Sequence, residues 1–315
     1  MSLFSIDLGG TKLAVGIFNE SGELLFSKED VVYGKSGKQV ADLICENIVW
    51  VNQSTYAPVN AIGISVPGIS NSKTQLVWAP NIPGWDNYPL LKEVSSIAGN
   101  IPVSIESDRS CYILGEMWQG NAKGIANAIF LAVGTGIGAG IVADGRVLHG
   151  AGDIIGAVGW LALDGVYKKE YEQCGCFEFN ASGNGIAKVA RQLIAADGEY
   201  SGVLKNKSAD EITTHDVLNA YIENDYISVR VMNNAITYWG MAVANLISIF
   251  NPEKILMGGG MFGPAVRFIP SIRDEAMKWA QPISAQQVSI EPSLLGAAAG
   301  MYGAAYLALQ SVQNK

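Results

Sequence analysis

Two glycine-rich turns carry the first chemistry legible in this chain. Ser5-Ile6-Asp7-Leu8 runs into Gly9-Gly10-Thr11-Lys12, and a second apolar run, Leu131-Ala132-Val133, enters Gly134-Thr135-Gly136-Ile137-Gly138. Each turn has a short apolar strand on either side (Leu13 to Phe18 follows the first, Gly140 to Ala143 the second). Glycine lets backbone N–H groups crowd a phosphate, and hydroxyl side chains add donors. Two such turns point to two halves that hold one polyphosphate. Asp7, ending the first strand, points to a divalent cation such as Mg²⁺, held through water.

Neither turn fits the common phosphate motifs. Gly34-Lys35-Ser36 has the tail of a Walker A loop, but Glu29 stands where its first glycine belongs. Gly134 to Ala139 matches G-x-G-x-x-A, yet Ile141-Val142-Ala143, Asp144-Gly145 and Arg146-Val147-Leu148 read as a β-hairpin. That context removes the helix N-terminus a Rossmann site requires. A ligand-free glycine hairpin explains either turn alone as well as a phosphate loop does. The pair in this arrangement favours the phosphate reading.

A third glycine run, Gly258-Gly259-Gly260, follows the strand Lys254 to Met257, where backbone can approach a ligand closely. Ser107-Asp108 ends the strand Val103 to Glu106, ahead of a helix from Cys111 to Trp118. Both residue types cap helices well. Ligand chemistry also favours such strand ends in α/β sheets.

The elements that hold these residues are those of an α/β protein. Strands are expected at Leu3 to Leu8, Leu13 to Phe18, Leu24 to Val32, Ala61 to Val66 and Ala128 to Val133. Helices are expected at Gly37 to Asn52, Leu90 to Ala98 and Val229 to Phe250, with a tightly packed alanine- and glycine-rich helix from Leu294 to Leu309. The partial self-similarity predicts two related α/β domains with a ligand cleft between them: 1–107 plus about 295–315, and 108–294.

Composition bounds the function. The 315 residues are 49% hydrophobic and 16% charged, enough for two well-packed cores. A net charge of -8 and a pI near 4.9 argue against nucleic acid as the main partner. The apolar run at the N-terminus is broken by Asp7 and does not read as a signal peptide. Ala235 to Phe250 is too short and too polar for a membrane span. Four cysteines, Cys45, Cys111, Cys174 and Cys176, suit a reducing cytoplasm, and two histidines exclude a histidine-rich metal site.

On these and further motifs the chain resembles the ROK (repressor, open reading frame, kinase) family of the sugar-kinase, Hsp70 and actin superfamily. The motifs are Asp7 to Lys12, Val66-Pro67-Gly68, Pro80-Asn81-Ile82-Pro83-Gly84-Trp85, Ser107-Asp108, Gly134 to Gly138, Gly258 to Gly260 and Gly296 to Ala305. The resemblance implies two actin-like (ribonuclease H-like) domains and ATP-dependent phosphorylation of a hexose, amino sugar or glycoside, by default at the 6-hydroxyl. It implies ATP and Mg²⁺ at Asp7, Gly9, Gly10, Thr11, Lys12, Gly134, Thr135 and Gly136, with Gly258, Gly259 and Gly260 beside the adenosine. It implies Asp108 as general base, and Gly68, Asn81, Ser107, Asp108, Trp160 and Glu178 around the sugar. A homodimer is the family expectation.

The chain departs from the family where the sugar is read. The family's Glu-x-Gly-His is Ala157-Val158-Gly159-Trp160 here, and its Asn-Asp pair is Ser107-Asp108, followed by Arg109. Of four zinc ligands only Cys176 remains, with Lys169, Tyr171 and Trp160 at the other positions. Cys174 adds a thiol, but two thiols do not make a tetrahedral site, and no structural zinc is expected. Trp160, Tyr167, Tyr171 and Phe177 are expected to pack the loop instead. Trp160 alternatively offers an apolar face to a sugar. Tyr33, Trp78 and Trp85 are expected in the core or on a cleft wall. The rival functions are a sugar-sensing protein of the same fold with weak turnover, and a repressor. The repressor is disfavoured, because the first glycine turn begins at Asp7 and no helix-turn-helix precedes it.

Overall fold

The structure, a computed structural model, describes residues 1–313. The first stretch runs β1 (Ser2–Leu8), β2 (Lys12–Asn19), β3 (Leu24–Val31), α1 (Lys38–Asn52), β4 (Ala61–Val66), β5 (Ile69–Ser70), β6 (Val77–Trp78), α2 (Leu90–Ala98), β7 (Val103–Ser107) and α3 (Asp108–Gln119). There follow β8 (Ala128–Val133), β9 (Ile137–Ala143), β10 (Arg146–Val147), α4 (Cys176–Ala181), α5 (Gly183–Ala196), α6 (Thr214–Ile222) and α7 (Tyr226–Phe250). The chain closes with β11 (Lys254–Gly258), α8 (Ile269–Met277), α9 (Pro282–Gln287), β12 (Ser289–Pro292) and α10 (Ala299–Gln313). Among the described residues no helix is long and apolar enough to cross a membrane.

Two five-stranded sheets share one order. The first is β3-β2-β1-β4-β7 and the second β10-β9-β8-β11-β12. In the first, β2 is antiparallel to β1 and β3, while β4 is parallel to β1 and β7. In the second, β11 is parallel to β8 and β12, and β10 is antiparallel to β9. The expected hairpin is present: Asp144 and Gly145 both have positive φ, 50° and 74°, as a tight primed turn requires.

The chain divides into two compact units, one of Met1–Ala126, Gly140–Ile155 and the segment from Ser293 on, the other of Asn127–Ala139 and Gly156–Pro292. This differs from the expected division at residues 107 and 108, because α3 stays with the first unit. Its partner is α10, and the two lie so close that a Cβ on Gly303 would collide with the Cys111 carbonyl. Leu3, Phe18, Trp118, Met301 and Leu309 fill the layer between that helix pair and the first sheet. On the sheet's other face Phe4, Ile6, Ile44, Ile48, Ile64 and Val94 form a second apolar layer with α1 and α2. The terminal helix starts at Ala299, after a 3₁₀ turn over Gly296–Ala298. In the second unit, the 25-residue α7 buries Trp239, whose indole donates to the Ala181 carbonyl at 3.0 Å.

Candidate active site

In the first unit, parallel pairing of β1 and β4 sets Asp7 beside Ser65, and α10 passes with Gly300 against it. A Cβ on Gly300 would lie 2.6 Å from Asp7 Oδ1, so only glycine leaves space for this carboxylate. Burial raises the Asp7 pKa, opposed by the Ser65 hydroxyl and the Lys12 ammonium. The turn that follows is closed by Gly9 N–H donating to the Lys12 carbonyl at 2.8 Å. Gly10, Thr11 and Lys12 are exposed, and Asn81 lies beside Gly10. Gly10 does not have positive φ, and a Cβ there would meet Asn81 Cβ at an ordinary 3.6 Å, so neither backbone strain nor a close approach demands glycine here. Lys12 pairs with Glu29 at 2.5 Å in an exposed ion pair. Gly68 is glycine for packing, because a Cβ there would strike the backbone of Trp78 and Ala79.

Asp108 begins α3 where β7 ends. Its Oδ1 accepts the Arg109 backbone N–H at 2.7 Å and its Oδ2 accepts the Tyr112 hydroxyl at 3.3 Å. Burial pushes its pKa up to about 6; the Arg109 guanidinium lowers it and Asp7 raises it further. Ser107 occupies the N-cap position without a side-chain capping bond, and its hydroxyl instead accepts from Arg109 Nε at 3.3 Å. Ser107 therefore does not cap the helix with its side chain, whereas Asp108 takes up one of the free N–H groups of the first turn.

A polar cavity of about 200 Å³ in the first unit had no counterpart in the motifs. Ser70, Ser72, Glu106, His149 and Asp153 line it. Glu106 Oε1 accepts the Ser107 N–H at 2.7 Å, and Oε2 lies 3.5 Å from His149 Nδ1. Ser72 donates to Asp153 through both its N–H and its hydroxyl, each at 3.0 Å. The only early signal was the rarity of histidine.

In the second unit the second and third glycine turns meet. Gly259 has φ 83°, and a Cβ there would lie 2.5 Å from the Val133 carbonyl oxygen. Gly134 accepts from Gly183 N–H, which starts α5, at 2.8 Å. Glu178 grips the same turn, accepting the Ile137 N–H at 2.6 Å. Burial raises its pKa and that N–H lowers it. A Cβ on Gly136 would fall 2.7 Å from Glu178 Oε2. Gly136, like Gly10, has no positive φ, so the bar to a side chain is this carboxylate and not strain. Thr135 is exposed.

The loop around Cys176 is held through Tyr171. Its hydroxyl donates to Asp164 at 2.9 Å and accepts from Asn180 at 3.3 Å, while Lys168 Nζ sits 5.6 Å from its ring centre. Tyr171 and Phe177 are buried, as expected. Trp160 and Tyr167 are not, at 57% and 70% exposed. The Tyr171 ring meets Phe179 edge-on at 5.4 Å, and the exposed Tyr167 meets Tyr171 edge-on at 6.4 Å from the outside. Among the aromatics of the first unit, Trp85 is buried, stacks on Tyr88 at 4.8 Å and donates to Gly37 O at 2.9 Å. Tyr33 and Trp78 are exposed, so the core placement does not hold for them.

The ROK family profile matches residues 3–311. The chain belongs to the ROK family. It is 29% identical to a glucokinase of Halalkalibacterium halodurans, covering 97% of this chain and 94% of that one. It is 28% identical to a beta-glucoside kinase of Listeria monocytogenes, over 98% of each. A ROK family glucokinase from Streptomyces griseus, solved with glucose and AMPPNP, superimposes with a TM-score of 0.79 at 27% identity, covering 98% of this chain and all of that one. The fold is thus α/β and actin-like, in line with two sheets of one strand order.

Proposed function

We propose that this ROK protein is an ATP-dependent sugar kinase that phosphorylates a hexose, amino sugar or glycoside, with the 6-hydroxyl as the acceptor position. The observation that carries the reading is Asp108: a half-buried carboxylate at a strand end, anchored through both oxygens, with a pKa near 6. A base with that proton affinity is ionised at neutral pH and still able to take a proton. Asp108 accepts the proton of the sugar hydroxyl. The hydroxyl oxygen then bonds to the γ-phosphorus as the bond to the ADP oxygen breaks. Such transfer demands alignment and charge neutralisation more than covalent help.

Gly10 to Lys12, with Thr135 and Gly136, bind the phosphates through backbone N–H groups, while the N–H groups of Gly9 and Gly134 close the two turns, and Gly258 to Gly260 adjoin the nucleoside. Lys12 exchanges its exposed pairing with Glu29, a weak contact at the surface, for phosphate. The Asp7 carboxylate fits a hydrated Mg²⁺: it is half-buried beside Ser65 and aimed past a glycine that leaves it room. Mg²⁺ supplies charge neutralisation when bound.

Gly68, Asn81, Ser107, Trp160 and Glu178 surround the acceptor in this reading. The Tyr171 network replaces structural zinc. Four free thiols suit a cytoplasmic protein, and the family resemblance favours a homodimer. The test is ATP consumption over a panel of hexoses, 2-amino sugars and glycosides, with Asp108→Asn in parallel. Turnover with one acceptor class, lost in Asp108→Asn, supports the kinase. ATP-independent sugar binding without turnover would favour a sugar sensor, the reading to which the replaced contacts at Ala157 and Trp160 lend weight.

A further inference from the structure

We propose that Tyr112 is a positioning residue for phosphoryl transfer: its hydroxyl holds Asp108 Oδ2, so the carboxylate presents one fixed edge to the acceptor hydroxyl. The proposal rests on Asp108 as general base and adds what aims it.

The geometry begins with helix spacing. Tyr112 lies four residues after Asp108 on α3, and side chains on a helix lean back toward its N-terminus. The phenol therefore reaches the carboxylate one turn earlier, at 3.3 Å. Catalytic hydrogen bonds in ligand-free enzymes are commonly this long and tighten when substrate binds. The terminal torsion of an aspartate is broad and nearly two-fold. One anchor, the Arg109 N–H on Oδ1, leaves the carboxylate free to turn about it. A second anchor on Oδ2 removes that freedom.

Among the described residues no other neighbour supplies direction. The Arg109 guanidinium donates to Ser107 Oγ, so it contributes charge to Asp108 without fixing its oxygens. Asp7, facing from β1, acts on Asp108 by repulsion. Lys12 is engaged with Glu29, and Glu106 on β7 with the Ser107 N–H and His149. Burial and the Asp108 charge push the Tyr112 pKa far up, so the phenol keeps its proton and remains a donor. Throughout the reaction the transferred proton goes to Asp108 and Tyr112 keeps its own.

The experiment compares wild type, Tyr112→Phe, Tyr112→Leu and Asp108→Asn. Phenylalanine keeps the ring and removes only the hydroxyl. Tyr112→Phe is expected to lower kcat by roughly ten- to a hundredfold, with KM for ATP and for the acceptor within about twofold. Tyr112→Leu is expected to fall at least as far. Wild-type kcat in Tyr112→Phe with loss only in Tyr112→Leu would mean the ring merely packs, and would overturn the proposal. A rise in both KM values alongside a lower melting temperature in Tyr112→Phe would overturn it too. Asp108→Asn at wild-type kcat would reject the base itself and with it the proposal. Crystal structures of wild type and Tyr112→Phe give a readout that needs no acceptor: Asp108 is expected to turn or split between orientations in the variant. An unchanged single orientation overturns the proposal.

Discussion

Asp108 is costly to hold as an ion. Its pKa near 6 in the folded chain stands above the ordinary 3.8. Above pH 6 the folded protein therefore carries a charged group that burial disfavours. As pH falls from 6 toward 3.8, the folded state takes up a proton that the unfolded chain does not, and the penalty fades. Asp108→Asn is accordingly expected to be more stable than wild type at pH 8, by about 1–3 kcal/mol, with the gain shrinking below pH 6. The same variant should lose roughly 10²- to 10⁴-fold in kcat. Thermal melts at several pH values, set beside turnover, check the pair. For wild type, kcat/KM reports the free enzyme and should show an acid limb near pH 6, since the base works only when ionised. A variant that is both inactive and less stable at pH 8 would mean Asp108 holds structure rather than performs chemistry.

The glycine turns show what a sequence can and cannot display about an element. Apolar runs between glycines located β1, β2, β4, β8 and β11 to within a residue or two, because strand periodicity and turn chemistry are local. Glu178 lies 41 residues from the Ile137 N–H it holds, and only tertiary packing makes them partners. The exposure of Tyr33 and Trp78 was hidden for a like reason: residue type does not tell which side of an element faces water. The two turns now give unequal predictions. Gly136→Val drives a side chain into Glu178 and should weaken both nucleotide and sugar binding, rather than nucleotide alone. Gly10→Ala fits the space beside Asn81, so its fold should hold. Any loss of ATP affinity in that variant, measured by calorimetry, reports a phosphate close to Gly10; unchanged affinity would remove that turn from the site. The Cys176 loop makes a third case. With Tyr171 at its centre, chelator should leave the melting temperature unchanged, whereas Tyr171→Ala should cost about 3 kcal/mol or more. Stoichiometric zinc in purified protein would overturn the metal-free loop.

At the scale of the whole molecule, each sheet brings a glycine turn at the end of its first strand, and the shared strand order makes the two turns counterparts. The residues proposed for phosphoryl transfer, Asp7, Asp108 and the glycine turns, follow the family pattern. The positions proposed to read the sugar do not follow the family pattern, with Ala157 and Trp160 where the resemblance calls for glutamate and histidine. Trp160 does not pack its loop, and its 57% exposure leaves a broad apolar face available. An aromatic face suits the C–H side of a sugar ring or an apolar substituent better than a cluster of hydroxyls. Each lost hydrogen bond to a charged partner removes roughly 1.5–3 kcal/mol. Free glucose should therefore be a poor acceptor, and an acceptor with an apolar substituent a better one. Trp160→Ala should weaken kcat/KM for the preferred acceptor while leaving ATP affinity unchanged. Ala157→Glu with Trp160→His should shift preference toward glucose or N-acetylated hexosamines. The measurement is kcat/KM across one panel for wild type and both variants. Efficient phosphorylation of glucose by wild type, with no better acceptor in the panel and no effect of Trp160→Ala, would mean that the two replacements leave acceptor choice untouched.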